Sequence, residues 1–153
     1  ANLDERGDSF FASSEKIAID TMKKVVKAFD NRDKEMVKSL FAKEVLKKYK
    51  NFDKDLEKAF KYYTIKSEKV DYDWAGDSDS TDENGTVAYT DCLATLKDKN
   101  DTFTFGVNVC YQDDTNELNE GVWCIYLQNE KLEPTKDSEI DDSEPNYGIY
   151  LNR

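Results

Sequence analysis

The sequence predicts an α+β fold, with N-terminal helices packed on a curved antiparallel sheet. Three observations predict it. Up to about Thr64 the hydrophobes recur at three- and four-residue steps, and after Lys66 they alternate every second residue. The charge changes at the same place. Residues 1–64 hold 15 Lys+Arg against 12 Asp+Glu, a net of +3, whereas residues 65–153 hold 7 against 21, a net of −14. Finally, 153 residues is the size of one domain able to bury most of its apolar surface. A block of helices followed by a block of strands is the α+β signature.

Residues 1–8 are polar and read as a flexible segment, leaving 9–153 as the single domain. A long helix is predicted from Ser9 or Ser13 to Asp30. Phe10, Ile17, Ala18, Met22, Val25 and Phe29 form its apolar stripe, and Lys16, Lys23, Lys24 and Lys27 take the wet side. Asn31 suits its exit, and Asp33 can cap a short second helix over 34–41 that turns Met36, Val37, Leu40 and Phe41 inward. A third turn or helix covers 43–49. A fourth helix starts at Asn51 or Asp53 and runs to Tyr63, burying Phe52, Leu56, Ala59, Phe60 and Tyr63.

The strands follow. Val70, Tyr72 and Trp74 alternate with Lys69, Asp71 and Asp73, as on a half-buried strand. Residues 76–86 read as a loop ending in Asn84-Gly85, a tight-turn signal. Strands are predicted over 87–97, 102–111 and 122–128, the last almost wholly apolar and therefore central or covered on both faces. Residues 129–146 form an acidic loop, and Gly148-Ile149-Tyr150-Leu151 a short last strand, giving four to six strands in all.

Composition removes whole classes of chemistry. There is no histidine, so the usual base near neutral pH, the commonest transition-metal ligand and every Ser-His or Cys-His pair are absent. An enzyme built on this chain would need Asp, Glu, Lys or Tyr. A net charge of −11 repels phosphate backbones and anionic membrane surfaces, which argues against nucleic acid as a partner. Mean hydropathy is low, −0.84, but aromatic residues make up 12% of the chain and can supply a core. No apolar run has the length of a membrane span.

Cys92, Cys110 and Cys124 lie singly on predicted strands with no C-x-x-C, which leaves zinc and thioredoxin-like readings without support. Two readings stand for them. All three are small buried hydrophobes, or Cys110 and Cys124 fall nearly opposite each other in a hairpin and form one bridge.

Three segments carry a resemblance: LDERGDSFFASSEKIA at 3–18, DKEMVKSLFAKEVL at 33–46 and YGIYLN at 147–152. They resemble the domain-of-unknown-function family 5104, whose members read mostly as secreted lipoproteins of Gram-positive, clostridia-like bacteria. The order of elements resembles the cystatin-like, nuclear-transport-factor-two-like cone. The resemblance implies an extracellular, membrane-tethered domain. The lipid-attachment Cys of such proteins is not in this chain, which opens at Ala1-Asn2-Leu3 as a mature fragment would. The family motifs carry no catalytic residue to transfer.

A cone of this type places a cavity between its long helix and the concave sheet. Tyr63, Tyr72, Trp74, Tyr89, Phe103, Phe105 and Trp123 are expected to approach it, either stacking on an apolar or sugar-like ligand or filling the core. Asp91 and Asn108 are polar residues within apolar strands. Inside a cavity the Asp91 carboxyl would have a raised pKa and could act as a base assisted by Tyr89; on a half-exposed face it would be an ordinary surface group. The candidate ligand-binding set is therefore Tyr72, Trp74, Tyr89, Asp91, Asn108 and Trp123. Asp77, Asp79 and Asp82, and separately Asp137, Glu139, Asp141 and Asp142, invite a calcium reading. The first set fails the EF-hand spacing, and solvated acidic loops account for both. No cofactor is implied. The expected function is a non-catalytic extracellular binding or interaction module, taking a small molecule or a cell-envelope component or pairing with its own copy. The alternative is a pocket isomerase or hydrolase using Asp91.

Overall fold

The computed structural model describes residues 3–132 and 147–151. Four helices come first: α1 (Leu3–Asp30), α2 (Lys34–Leu40), α3 (Lys43–Lys48) and α4 (Phe52–Tyr62). Five strands follow: β1 (Lys69–Asp82), β2 (Gly85–Lys97), β3 (Thr102–Asp113), β4 (Gly121–Asn129) and β5 (Gly148–Leu151), with a 3-10 turn at Glu117–Asn119 before β4. They form one sheet in the order β1-β2-β3-β4-β5. Helices on one side of this mostly antiparallel sheet make the predicted α+β arrangement.

Several elements begin or end where a local chemical signal stands. The Asp33 carboxylate caps α2, accepting from the Met36 amide at 3.0 Å, a contact worth about 1 kcal/mol. Asn51 precedes α4, but its side chain makes no capping bond. The helix α1 starts at Leu3, six residues before Ser9, because lengthening a nucleated helix gains one hydrogen bond per added residue. Its seam against the sheet is Ala18, Met22, Val25 and Phe29, all essentially inaccessible. Ile17, expected in that seam, is 36% exposed, and Met36, expected inward, is 40% exposed. The two-turn α2 offers its neighbours only a narrow face, and Val37 occupies it.

The largest departure from the sequence reading is residues 76–82, predicted as loop. They continue β1, and the β1–β2 ladder runs from Lys69↔Lys97 to Asp82↔Gly85. Glycine, serine and aspartate are poor strand formers, but β2 supplies a complete row of backbone partners. The register slips once, between Trp74 and Gly76, and Gly76 takes a φ of +102° to absorb that bulge. The turn at Asn84-Gly85 is present, closed by the Asn84 amide on Oδ1 of Asp82 at 2.8 Å. A second departure is β5, which pairs with β4 in parallel rather than antiparallel.

The core lies between α1, α4 and the sheet. Phe29 meets Phe60, Tyr63 and Phe105 edge-to-face, with centroids 5.0, 5.7 and 5.0 Å apart. Tyr63 also contacts Phe103 and Phe105, both at 5.3 Å. The end of α4 also reaches the end of β4, where the Asn129 amide donates to the Tyr62 hydroxyl at 2.8 Å.

Candidate functional site

Strand alternation divides the candidate residues between two faces. On β2, Ala88, Thr90, Cys92, Ala94 and Leu96 point toward the helices and are buried. Tyr72 and Trp74 share that face through their partners Ala94 and Cys92. Lys23 of α1 sits 5.7 Å from the Tyr72 ring centre, and the Trp74 indole N–H donates to the Thr90 hydroxyl at 2.8 Å. Burial raises the pKa of the Tyr72 phenol. The expected cavity between α1 and the sheet is not open at its centre: Phe29, Tyr63, Phe103 and Phe105 fill it. Large rings chosen as ligand platforms are also what a helix-on-sheet core needs, and here they serve the core.

Tyr89, Asp91 and Asn108 lie on the opposite face. Asp91 and Asn108 are directly paired across β2 and β3, and the Asn108 amide donates to Oδ1 of Asp91 at 2.8 Å. Burial pushes the Asp91 carboxyl up from its ordinary value, and the bond from Asn108 pulls it partly back. Trp123 occupies an irregular position in β4, where the β3–β4 register shifts. Its ring stands edge-on to Tyr89 at 6.0 Å, and its N–H donates to the Asn119 carbonyl at 2.8 Å. The Tyr89 phenol is raised by burial, then by Cys110 and Asp113, so it is a neutral donor rather than a base. The structure thus joins Tyr89, Asp91, Asn108 and Trp123 and separates them from Tyr72 and Trp74.

The three cysteines are buried free thiols. This is the first of the two readings; the alternative, a Cys110–Cys124 bridge, does not form, because the register shift sets Cys110 opposite Gly121 and Cys124 opposite Asn108. The first acidic set is dispersed as well. The strand period places Asp77 and Asp79 on one face of β1 and Asp82 on the other, and Asp77 accepts from the Tyr111 hydroxyl at 3.1 Å. Among the described residues no three acidic or cysteine side chains converge on a metal position. Asp137, Glu139, Asp141 and Asp142 lie outside the described residues.

A concavity stands where the sequence reading did not place one. Residues of α2, α3 and the 3-10 turn enclose a cleft of about 570 Å³. Its apolar walls are Leu40, Phe41, Leu46 and Leu118, and Glu35, Lys38, Lys43, Glu117 and Glu120 stand at its rim. Local structure explains why it holds its shape. The Ala42 amide donates to the Val122 carbonyl at 3.0 Å, which hangs the α2–α3 junction on the start of β4. At Gly121, φ is +134°, and a Cβ there would stand 2.7 Å from the Ala42 nitrogen, so only glycine permits this approach. Asn116 caps the 3-10 turn by accepting from the Leu118 amide at 3.0 Å, which presents the Leu118 side chain 43% exposed. The Ser39 hydroxyl donates to the Met36 carbonyl at 2.7 Å and so faces no base. The one signal in the sequence was Leu118 itself, a lone hydrophobe in an acidic connection.

No curated protein is similar enough to the chain to count as a relative. A family described as a domain of unknown function, DUF5104, matches residues 24–133, which covers most of the helical layer and β1 to β4. A match over that share of the sequence assigns the family, and the chain belongs to the DUF5104 domains of unknown function.

Proposed function

We propose that this domain is a non-catalytic binding module of an extracellular lipoprotein, and that the α2–α3 cleft receives a small amphiphilic molecule. One observation carries the reading: a cleft of about 570 Å³ with apolar walls of Leu40, Phe41, Leu46 and Leu118 and a rim bearing both charge signs. That size lies within the usual range of small-molecule sites, roughly 300–1,000 Å³. The walls suit an apolar body, and Lys38 and Lys43 beside Glu35, Glu117 and Glu120 suit a head group with charge. Binding is favoured over catalysis because the chain has no histidine and the Ser39 hydroxyl is engaged by a backbone carbonyl. The enzyme alternative loses ground for a related reason. Asp91 is already paired with Asn108 and lies on the face away from the helices. The extracellular, lipid-tethered setting is supported by the family resemblance.

The test is thermal unfolding against a panel of amphiphiles bearing anionic, cationic and zwitterionic heads. A ligand that binds the native state raises Tm with its concentration. The expected result is a dose-dependent rise for wild type that disappears in Leu118→Glu, whose basal Tm stays close to wild type. A rise that persists in Leu118→Glu, or a panel without any rise, overturns the assignment.

A further inference from the structure

We propose that the head group received at the α2–α3 cleft is a primary ammonium, so that the ligand is a free aliphatic amine whose carbon chain lies on the apolar walls. This rests on the reading of the cleft as an amphiphile site and adds the sign and the hydrogen-bonding character of the head. The walls are uniformly apolar, so choice among amphiphiles falls to the rim. Three carboxylates stand there, Glu35, Glu117 and Glu120, against two lysines, Lys38 and Lys43. The partners of these groups widen the difference. The Lys38 ammonium lies 3.8 Å from Oδ1 of Asp53 on α4, a residue outside the cleft lining. Glu35, Glu117 and Lys43 are exposed, and the ion pairs among the described residues use none of the three. Two uncommitted carboxylates therefore face one uncommitted amine.

The supply of hydrogen bonds points the same way. Ser39 lines the cleft, and its hydroxyl hydrogen is committed to the Met36 carbonyl at 2.7 Å, which leaves its oxygen able only to accept. Glu120 takes the Asp113 amide hydrogen on Oε2 at 3.0 Å and keeps its charge and its other oxygen. The rim thus offers mostly acceptors. A primary ammonium brings three donors to them, and an aliphatic amine is protonated at neutral pH just as a lysine is. A carboxylate or phosphate head would bring further acceptors, with Lys43 alone to receive it. A quaternary ammonium satisfies the charge but none of the hydrogen bonds. Around the cleft, the net charge of −11 raises the local concentration of cations and lowers that of anions. Each contact at so exposed a rim is weak. The walls accordingly supply affinity and the rim supplies selectivity.

The test is isothermal titration at low salt with four ligands of one chain length: octylamine, octyltrimethylammonium, octyl glucoside and octanoate, each below its micelle concentration. Wild type is compared with Glu35→Gln, Glu117→Gln and Lys43→Gln. All three positions are exposed, so the variants keep the fold, which circular dichroism checks. For wild type, octylamine should bind tightest, octyltrimethylammonium more weakly and octanoate weakest. Each Glu→Gln change should weaken octylamine by roughly threefold, the size of one exposed ion pair, and Lys43→Gln should strengthen it by a similar factor. Octyl glucoside, which has no charge, should bind all four proteins alike. Octanoate or octyltrimethylammonium binding as tightly as octylamine overturns the head-group assignment and leaves the cleft as an amphiphile site. Octylamine affinity that ignores both Glu→Gln changes, or falls in Lys43→Gln, overturns it too. Failure of all four ligands to bind overturns the assignment together with the reading of the cleft on which it rests.

Discussion

The Tyr63 phenol donates a hydrogen bond to Oδ1 of Asp30 at 2.6 Å, tying the last residue of α1 to the segment where helices give way to strands. The same carboxylate accepts from the Ser67 amide at 2.8 Å and from the Ser67 hydroxyl. Arg32, in a left-handed conformation with φ of 49°, lies over the Tyr63 ring at 4.9 Å and donates to the carbonyls of Tyr63 and Ile65. The change of period near Thr64 is thus fastened by a buried tyrosine and one aspartate. Tyr63→Phe keeps the ring packing and removes one bond to a charged acceptor, so it should cost about 1.5–3 kcal/mol in urea unfolding. Asp30→Ala should cost more, because it strands a fully buried phenol. Equal costs for the two variants would show that Ser67 and Tyr63 do not depend on a common acceptor.

Asp91 makes the stability of the sheet pH-dependent in a specific sense. Its folded-state pKa is raised by burial above the ordinary 3.8, so the native state holds its proton more tightly than the unfolded chain does. Stability from this group is complete below the ordinary carboxylate range and is lost as pH rises through the higher folded value. Asp91→Asn removes that loss while keeping a group that can pair with Asn108. The variant should melt above wild type at pH 7, and the gap should close as pH falls toward 3.8. A gap that widens on acidification would reverse the sign assigned to Asp91.

The thiols give a third measurement. Burial pushes the Cys92 and Cys110 thiols up to about 11, so neither is a thiolate at neutral pH. Native protein should react only slowly with a thiol reagent at pH 8, and unfolded protein should titrate three thiols without reductant. One titrating thiol would mean a bridge.

Gly121 holds the cleft to the sheet. Gly121→Ala places a Cβ against the Ala42 backbone at a positive φ and should cost about 2–4 kcal/mol from strain plus the lost Ala42–Val122 hydrogen bond. Thermal unfolding of Gly121→Ala beside Gly76→Ala separates the causes. Gly76 also has a positive φ, but nothing lies within 4 Å of its would-be Cβ, so that variant should lose less.

How far the sequence could be read depended on the range of the interactions involved. The Asp33 cap and the Asn84-Gly85 turn are contacts within a few residues, and both stand where the sequence places them. Residues 76–82 misled because their own composition opposes a strand, while the deciding partner is β2. The alternation of β2 held the information that Tyr89, Asp91 and Leu93 share one face. That pattern is ambiguous where both faces carry apolar side chains, as Leu93 and Cys92 do on adjacent positions.

By itself the sequence determined the helical layer, the strand layer, the charge boundary between them and the absence of histidine chemistry. All of these follow from local period and residue type. Only the tertiary structure decided that Phe29, Tyr63, Phe103 and Phe105 close the space under α1, that Asp91 meets Asn108 away from the helices, and that Leu40, Leu46 and Leu118 form a cleft. Each of these joins segments far apart along the chain. Such contacts are set by packing and register, and no local pattern encodes which distant residue completes them.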